Sequence, residues 1–227
     1  MIDGLRFAYR LEGPEDAPAV MLCNSLASDM TMWDSQVPEL AGRYRVLRYD
    51  QRGHRRTEAS PPPYSIERLA GDALALLDLL RLERVHFVGL SLGGMVGQYL
   101  GKHRPDRFRS LTLAATSPHM PPPEMWLERV AIARNAGIAD LVDLTLERWF
   151  TAGFRDRHGD RVDRVRRMIQ GTSVDGYAGC CLAIAEMDQR AGIGGIRTPT
   201  LIVVGREDPA TTVSVSEFMH DTIEDSE

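Results

Sequence analysis

The chain has 227 residues, 43% of them hydrophobic and 26% charged, with a formal net charge of −5. That length and balance suit one globular domain, or one domain with an insertion, with a full core. The negative balance gives no basic surface for nucleic acid or anionic membrane, and no apolar run approaches the roughly 20 residues that span a bilayer.

The opening stretch "MIDGLRFAYRLEG" lacks a basic region followed by an apolar one, so no secretion signal is expected. Its "LRFAYRLEG" alternates and predicts a strand. "AVMLCNS" is a continuous apolar run, as in a strand buried on both faces. "TMWDSQVPELAG" predicts a helix ending at Gly42, and "YRVLRYD" another strand. After the stiff connector Pro61 to Pro63, Ser65 is placed to cap a helix over "IERLAGDALALLDLL", whose apolar residues recur at helical spacing. "RVHFVGL" predicts a strand, "LGGMVGQYLGKH" a helix stopped by Pro105, and "FRSLTLAAT" a strand again. Alternation at these lengths implies an α/β fold, a mostly parallel sheet with helices on both faces.

Beyond Pro121 to Pro123 the strand signals stop. Residues 124–190 read as three or four amphipathic helices, near 124–136, 139–150, 160–170 and 177–190. "TPTLIVVG" then returns to a buried strand, Leu201 to Val204, and a loop that carries Asp208. The expected organisation is a core of residues 1–120 and 191–227, with a helical cap, 121–190, over the sheet's carboxyl edge. Open α/β sheets bind ligands at that edge. The three cysteines, Cys23, Cys180 and Cys181, are odd in number and lack metal-ligand spacing. Reduced thiols in the cytoplasm and no metal site are expected.

The strongest chemical signal is Gly89-Leu90-Ser91-Leu92-Gly93, a G-x-S-x-G between a strand and a helix. Small residues two positions either side of the serine permit a sharp turn that lifts its hydroxyl above the sheet. The N–H of Leu92 then points at any oxyanion formed on attack. Gly93, Gly97 and Gly101 fall four apart and give the helix one smooth face. Asp208, on the loop after the next strand, is the expected acid, since "LAATSP" offers Thr116 and no carboxylate.

With "NSLAS…MWDSQV", "RYDQRGH", "PYSIERLAGDALALLDLL", "HFVGLSLGGMVGQYLG", "LERWFT" and "DPAT", the chain resembles the α/β-hydrolase superfamily and, within it, the 3-oxoadipate enol-lactonases of aromatic-acid catabolism. The resemblance implies a serine hydrolase in which Ser91 attacks the lactone carbonyl, Leu26 and Leu92 supply the oxyanion-hole N–H groups, and Asp208 is the triad acid. No cofactor is implied. The substrate would be a small lactone bearing a carboxylate, so the pocket should hold a cation. Arg129, Arg134 and Arg148, with Trp126 and Trp149 nearby, are candidates in the cap helices. "RDRHGDRVDRVRR" reads as a solvent face, and Trp33 as packing beside the oxyanion loop. A carboxylesterase or haloperoxidase-like hydrolase shares much of the pattern.

Three departures stand out. Ala27 and Arg55 replace glycines usual in the superfamily, with Thr57 for serine beside the second. Arginine reaches φ > 0 less readily than glycine, so that loop is expected to be rebuilt. The family's triad histidine lies some 25–30 residues past the acid, whereas 19 residues follow Asp208 here. A C-terminally shortened hydrolase is expected, with its last strand and helix absent, its acidic end disordered, and a bare sheet edge that invites aggregation or a homo-oligomer. His220 alone follows Asp208, as a weak substitute base, and a hydrolase-fold protein without turnover is the competing reading.

Overall fold

The computed structural model describes all 227 residues. Six strands form one sheet: β1 Tyr9–Glu12, β2 Ala19–Cys23, β3 Arg45–Tyr49, β4 Val85–Leu90, β5 Phe108–Ala114 and β6 Thr200–Val203. Their spatial order is β1-β3-β2-β4-β5-β6. Only β1 runs antiparallel, against β3; every other pair is parallel. The strand order reverses between β2 and β4, so β4 sits mid-sheet, with its carboxyl end at the switch point where such sheets bind ligands.

Period-2 alternation sorts the side chains. Met21, Leu47, Phe87, Leu111 and Leu113 face one side, where they join α2 Ile66–Leu79 and α3 Leu92–His103 in the main core. Val20, Leu22 and Val46 face the other and pack on Trp33 and Val37. Ser65 caps α2 by accepting from the Arg68 N–H at 3.1 Å. The glycine face of α3 lets the helix lie close: a Cβ at Gly97 would stand 2.8 Å from the Phe87 ring, and one at Gly101 2.5 Å from Leu111.

Four expectations need correction. "TMWDSQVPELAG" is not one helix but a 3-10 turn, Met30–Trp33, and a short helix, α1 Val37–Ala41. Pro38, in α1's first turn, has no N–H to extend a helix backward. β6 is not buried on both faces: Leu201 and Val203 are 42% and 46% exposed. They share a face with Val88 and Leu90 by register, and α1, which covers that face, packs at β3. The acidic end is ordered. After α9, Val213–Thr222, Ile223 is buried in the main core. The Thr200 N–H then donates to the Asp225 carbonyl and the Ile202 N–H to the Glu227 carbonyl, each at 2.8 Å, so residues 225–227 pair along the edge of β6. An unpaired strand edge offers those donors, which explains why an acidic tail docks there. The Arg55 loop is not rebuilt either: Arg55 adopts φ 48° and Ala27 φ 56°, so both keep the left-handed conformation glycine would favour.

Between β5 and β6 lie five helices: α4 Pro123–Asn135, α5 Val142–Trp149, α6 Ala152–Arg157, α7 Gly159–Gln170 and α8 Val174–Glu186. α6 was hidden in "TAGFRDR", too short for a periodic signal, and is started by Thr151, whose hydroxyl accepts from the Phe154 N–H. α4 packs along α8. α7 is not purely a solvent face: Arg164 reaches the Thr31 carbonyl at 3.0 Å and pairs with Asp34, tying the helix to the turn after β2.

Candidate active site

Ser91 stands between β4 and α3 with φ 54° and ψ −111°, a region L-residues rarely occupy. The glycines around it are sterically required. A Cβ at Gly89 would meet the Gly93 carbonyl at 2.2 Å, and one at Gly93 the Cys23 carbonyl at 2.2 Å. The turn is pinned to the end of β5 by two bonds: the Ser91 N–H donates to the Ala114 carbonyl at 2.9 Å, and the buried Thr116 hydroxyl donates to the Ser91 carbonyl at 2.8 Å. Thr116 is thus a supporting residue that its position in "LAATSP" marked only as a non-acid. Leu92 opens α3, where first-turn N–H groups have no partner within the helix.

The facing backbone is the loop after β2. The Leu26 N–H makes no hydrogen bond within the chain. The next one, at Ala27, donates to His54 Nε2 at 3.0 Å. Because that nitrogen accepts, neutral His54 carries its proton on Nδ1 and donates it to the Arg52 carbonyl, 3.0 Å away. His54 is fully buried, and burial lowers its pKa to about 4. Asn24 braces the same loop, donating to the Tyr49 carbonyl and accepting from Trp33 Nε1, both at 2.8 Å.

His54 therefore makes stability pH-dependent. Its folded pKa lies below the unfolded value near 6.5, so unfolding takes up a proton as pH falls. The stability it permits is fully present above pH 6.5 and is lost towards pH 4, by about 3 kcal/mol. In His54→Gln, which keeps one acceptor and one donor, this loss should vanish. Denaturant melts at pH 7 and pH 4 should show the wild type losing about 3 kcal/mol more than the variant; equal losses would refute the assignment.

A cavity of about 1000 Å³ opens at this edge. It is lined by Ser91, Leu26 and Asp208, and from the helices after β5 by Trp126, Arg129, Arg148 and Trp149. Leu92 is buried just behind the lining. Asp208 is held by three donors: its Oδ1 accepts the N–H groups of Ala210 and Thr211 at 2.8 and 2.9 Å, and its Oδ2 accepts the Thr211 hydroxyl at 2.8 Å. Arg129 is only 8% exposed and has no carboxylate partner; its guanidinium lies 5.2 Å from the Trp126 ring centre. Arg148 is partly buried, its Nη1 3.5 Å from Met125 Sδ and likewise without a carboxylate partner. Burial, then the charge of Arg129, lowers its pKa, while Asp208 acts the other way. Arg134 does not reach the cavity. Tyr177, buried on α8, lines it with a hydroxyl that has no hydrogen-bond partner. Burial pushes the Tyr177 pKa up, against the pull of Arg129. Nothing in the pattern of "VDGYAGC" marked that residue.

No histidine lines the cavity. His220 sits on α9 with its ring 3.0 Å from Ser226 Oγ, and Ser226 pairs with Thr200 at the amino end of β6. That end is about 13 Å down the sheet from the level of Ser91, four residues at the strand rise. His86 bonds Ser110, and His103 stacks on Tyr99 at the far end of α3. No group of three metal-ligating side chains is present, and no helix is long and apolar enough to cross a membrane.

A family profile of the alpha/beta hydrolase fold matches residues 18–136. The chain belongs to the alpha/beta-hydrolase family. Among alpha/beta hydrolases it is 35% identical to 3-oxoadipate enol-lactonase 2 of Acinetobacter baylyi, over 95% of this chain and 83% of that one. The solved enol-lactonase of Burkholderia xenovorans LB400 superposes with a TM-score of 0.97 at 38% identity, covering 99% of this chain and 87% of its own. A thermophilic esterase from Thermogutta terrifontis superposes at 0.92 with 27% identity, covering 98% and 83%.

Proposed function

We propose that this protein hydrolyses 3-oxoadipate enol-lactone to 3-oxoadipate, a step in aromatic-acid catabolism, with Ser91 as nucleophile. The observation that carries the reading is one cavity holding both the strained Ser91 and two guanidinium groups without carboxylate partners. A buried unpaired charge costs several kcal/mol, which a ligand carboxylate would offset. Arg129 and Arg148 would hold the substrate's carboxylate, with the Tyr177 hydroxyl as a further donor and Trp126 and Trp149 flanking the ring.

In this reading Ser91 Oγ attacks the lactone carbonyl and gives its proton to cleft water, since no histidine lines the cavity. The N–H groups of Leu26 and Leu92 receive the oxyanion. Collapse breaks the ring C–O bond, and the enol oxygen leaves with a proton. Water then cleaves the acyl-enzyme, and the released enol becomes the 3-oxo acid. Asp208, in the same cavity wall, would orient the water that takes the proton. The three cysteines are free and fit a reducing compartment, the cytoplasm.

The deciding measurement compares lactone absorbance decay with hydrolysis of a neutral p-nitrophenyl ester. Faster turnover of the lactone supports the reading; ester turnover alone would make this a carboxylesterase. In Arg129→Met, the loss of one charge-assisted bond should raise KM for the lactone by roughly 10–100-fold, with ester kinetics unchanged. Equal effects on both substrates would remove Arg129 from carboxylate recognition.

A further inference from the structure

Beside the catalytic cleft lies a second cavity of about 200 Å³. Five solvent-exposed arginines from segments distant in sequence line it: Arg10 of β1, Arg55 and Arg56 of the loop after β3, and Arg164 and Arg167 of α7. The carboxylates in its wall are Asp29 and Asp50, so three positive charges are in excess, in a chain whose net charge is −5. Both aspartates are already committed to other donors. Asp29 Oδ1 accepts from the Thr31 N–H and hydroxyl, and Asp50 accepts from the Met30 N–H at 2.7 Å and the Arg56 N–H at 3.3 Å. Burial also raises the Asp50 carboxyl to about 6, so it stays mostly ionised at neutral pH and loses its charge only as the pH falls below that. Arg55 Nε stands 3.8 Å from Asp29, and Arg164 is engaged by Asp34. Arg10, Arg56 and Arg167 have no carboxylate partner.

Two backbone features bear on how Arg55 sits in this wall. Arg55 is held at φ 48°, a conformation that costs an L-residue roughly 1–2 kcal/mol. Gly171 leaves room for its guanidinium, since a Cβ there would meet Arg55 Nη1 at 2.7 Å. Guanidinium forks in excess over carboxylates suit a bidentate oxyanion. The volume is below the 300 Å³ or so of a drug-sized pocket and equals roughly seven waters.

We propose that this cavity is a second anion site, taking a small oxyanion with two negative charges, such as phosphate or a short dicarboxylate. It adjoins the cleft, since Thr31, Arg164 and Met168 face both. The proposal does not depend on the lactone reading.

Calorimetric titration with inorganic phosphate and, separately, with adipate tests it and separates the two sources. One saturable site is expected for at least one of them. Its affinity should fall at least about tenfold, the loss of one good charge-assisted bond, in Arg10→Gln/Arg56→Gln, and likewise in Arg167→Gln. In Arg129→Met, which alters only the cleft, it should stay within about twofold. Circular dichroism checks that each variant is folded. No saturable binding of either anion at roughly 10 mM, or binding lost in Arg129→Met and retained in the other two, would overturn the proposal.

Discussion

Ser91→Ala should remove Ser91-dependent lactone turnover, a loss below the roughly 10⁶-fold of a complete triad because no histidine lines the cavity. The stability of the fold should hardly change. The Ser91 hydroxyl makes no hydrogen bond within the chain, and both alanine and serine must bear the same φ of 54°. The two readouts are therefore separable: turnover and fluorophosphonate labelling disappear, while the thermal midpoint stays put. Turnover unchanged by the substitution would remove Ser91 from the chemistry. Labelling of the wild type no better than that of Ser91→Ala would mean that no group in this chain activates the hydroxyl, and would favour a hydrolase fold without turnover.

The second large effect lies under the site. Arg52 is fully buried, its Nε 2.8 Å from Asp72 Oδ2 and its Nη2 bonded to Asp72 Oδ1. Its guanidinium lies 5.8 Å from the Phe7 ring centre and 5.9 Å from that of Tyr64. Asp72 is buried too, enough that burial raises its pKa despite this partner. Removing Asp72 leaves the buried Arg52 charge only the half-exposed Asp3 carboxylate, 3.6 Å away, at a cost of about 3–5 kcal/mol. For a chain of this size Asp72→Asn should lower the midpoint by roughly 6–20 °C. The double change Arg52→Leu/Asp72→Leu should recover much of that, because no lone charge remains. A double variant as unstable as Asp72→Asn would show that packing, and not charge, dominates. The pair also anchors the loop that carries His54, so activity should fall with the midpoint.

The sheet was legible because parallel strands buried on both faces are continuous apolar runs, and "AVMLC" is such a run. The serine turn was legible because its glycines answer to contacts that leave no room for a Cβ. The edge was misread for the same reason that the centre was easy: "TLIV" has the composition of a central strand, but what covers its outer face is decided by α1 lying over β3 instead. The tail was misread from charge alone, although Ile223 supplies its anchor. In the site, Arg129 and Arg148 were two of several arginines; only the folding of α4 and α5 over the cleft separates them from Arg134. Tyr177 and Thr116 carry no motif, since their roles come from contacts made across long sequence distances.

Six residues other than glycine have left-handed backbone, and three of them, Ala27, Ser91 and Ala115, line the cleft, while Arg55 lines the cavity beside it. At roughly 1–2 kcal/mol each, the rim stores conformational energy that the rest of the sheet does not. Local opening there would release it, so the rim should yield before the core. On slow heating, catalysis would then fail at a temperature where the protein is still folded, and cooling would restore it.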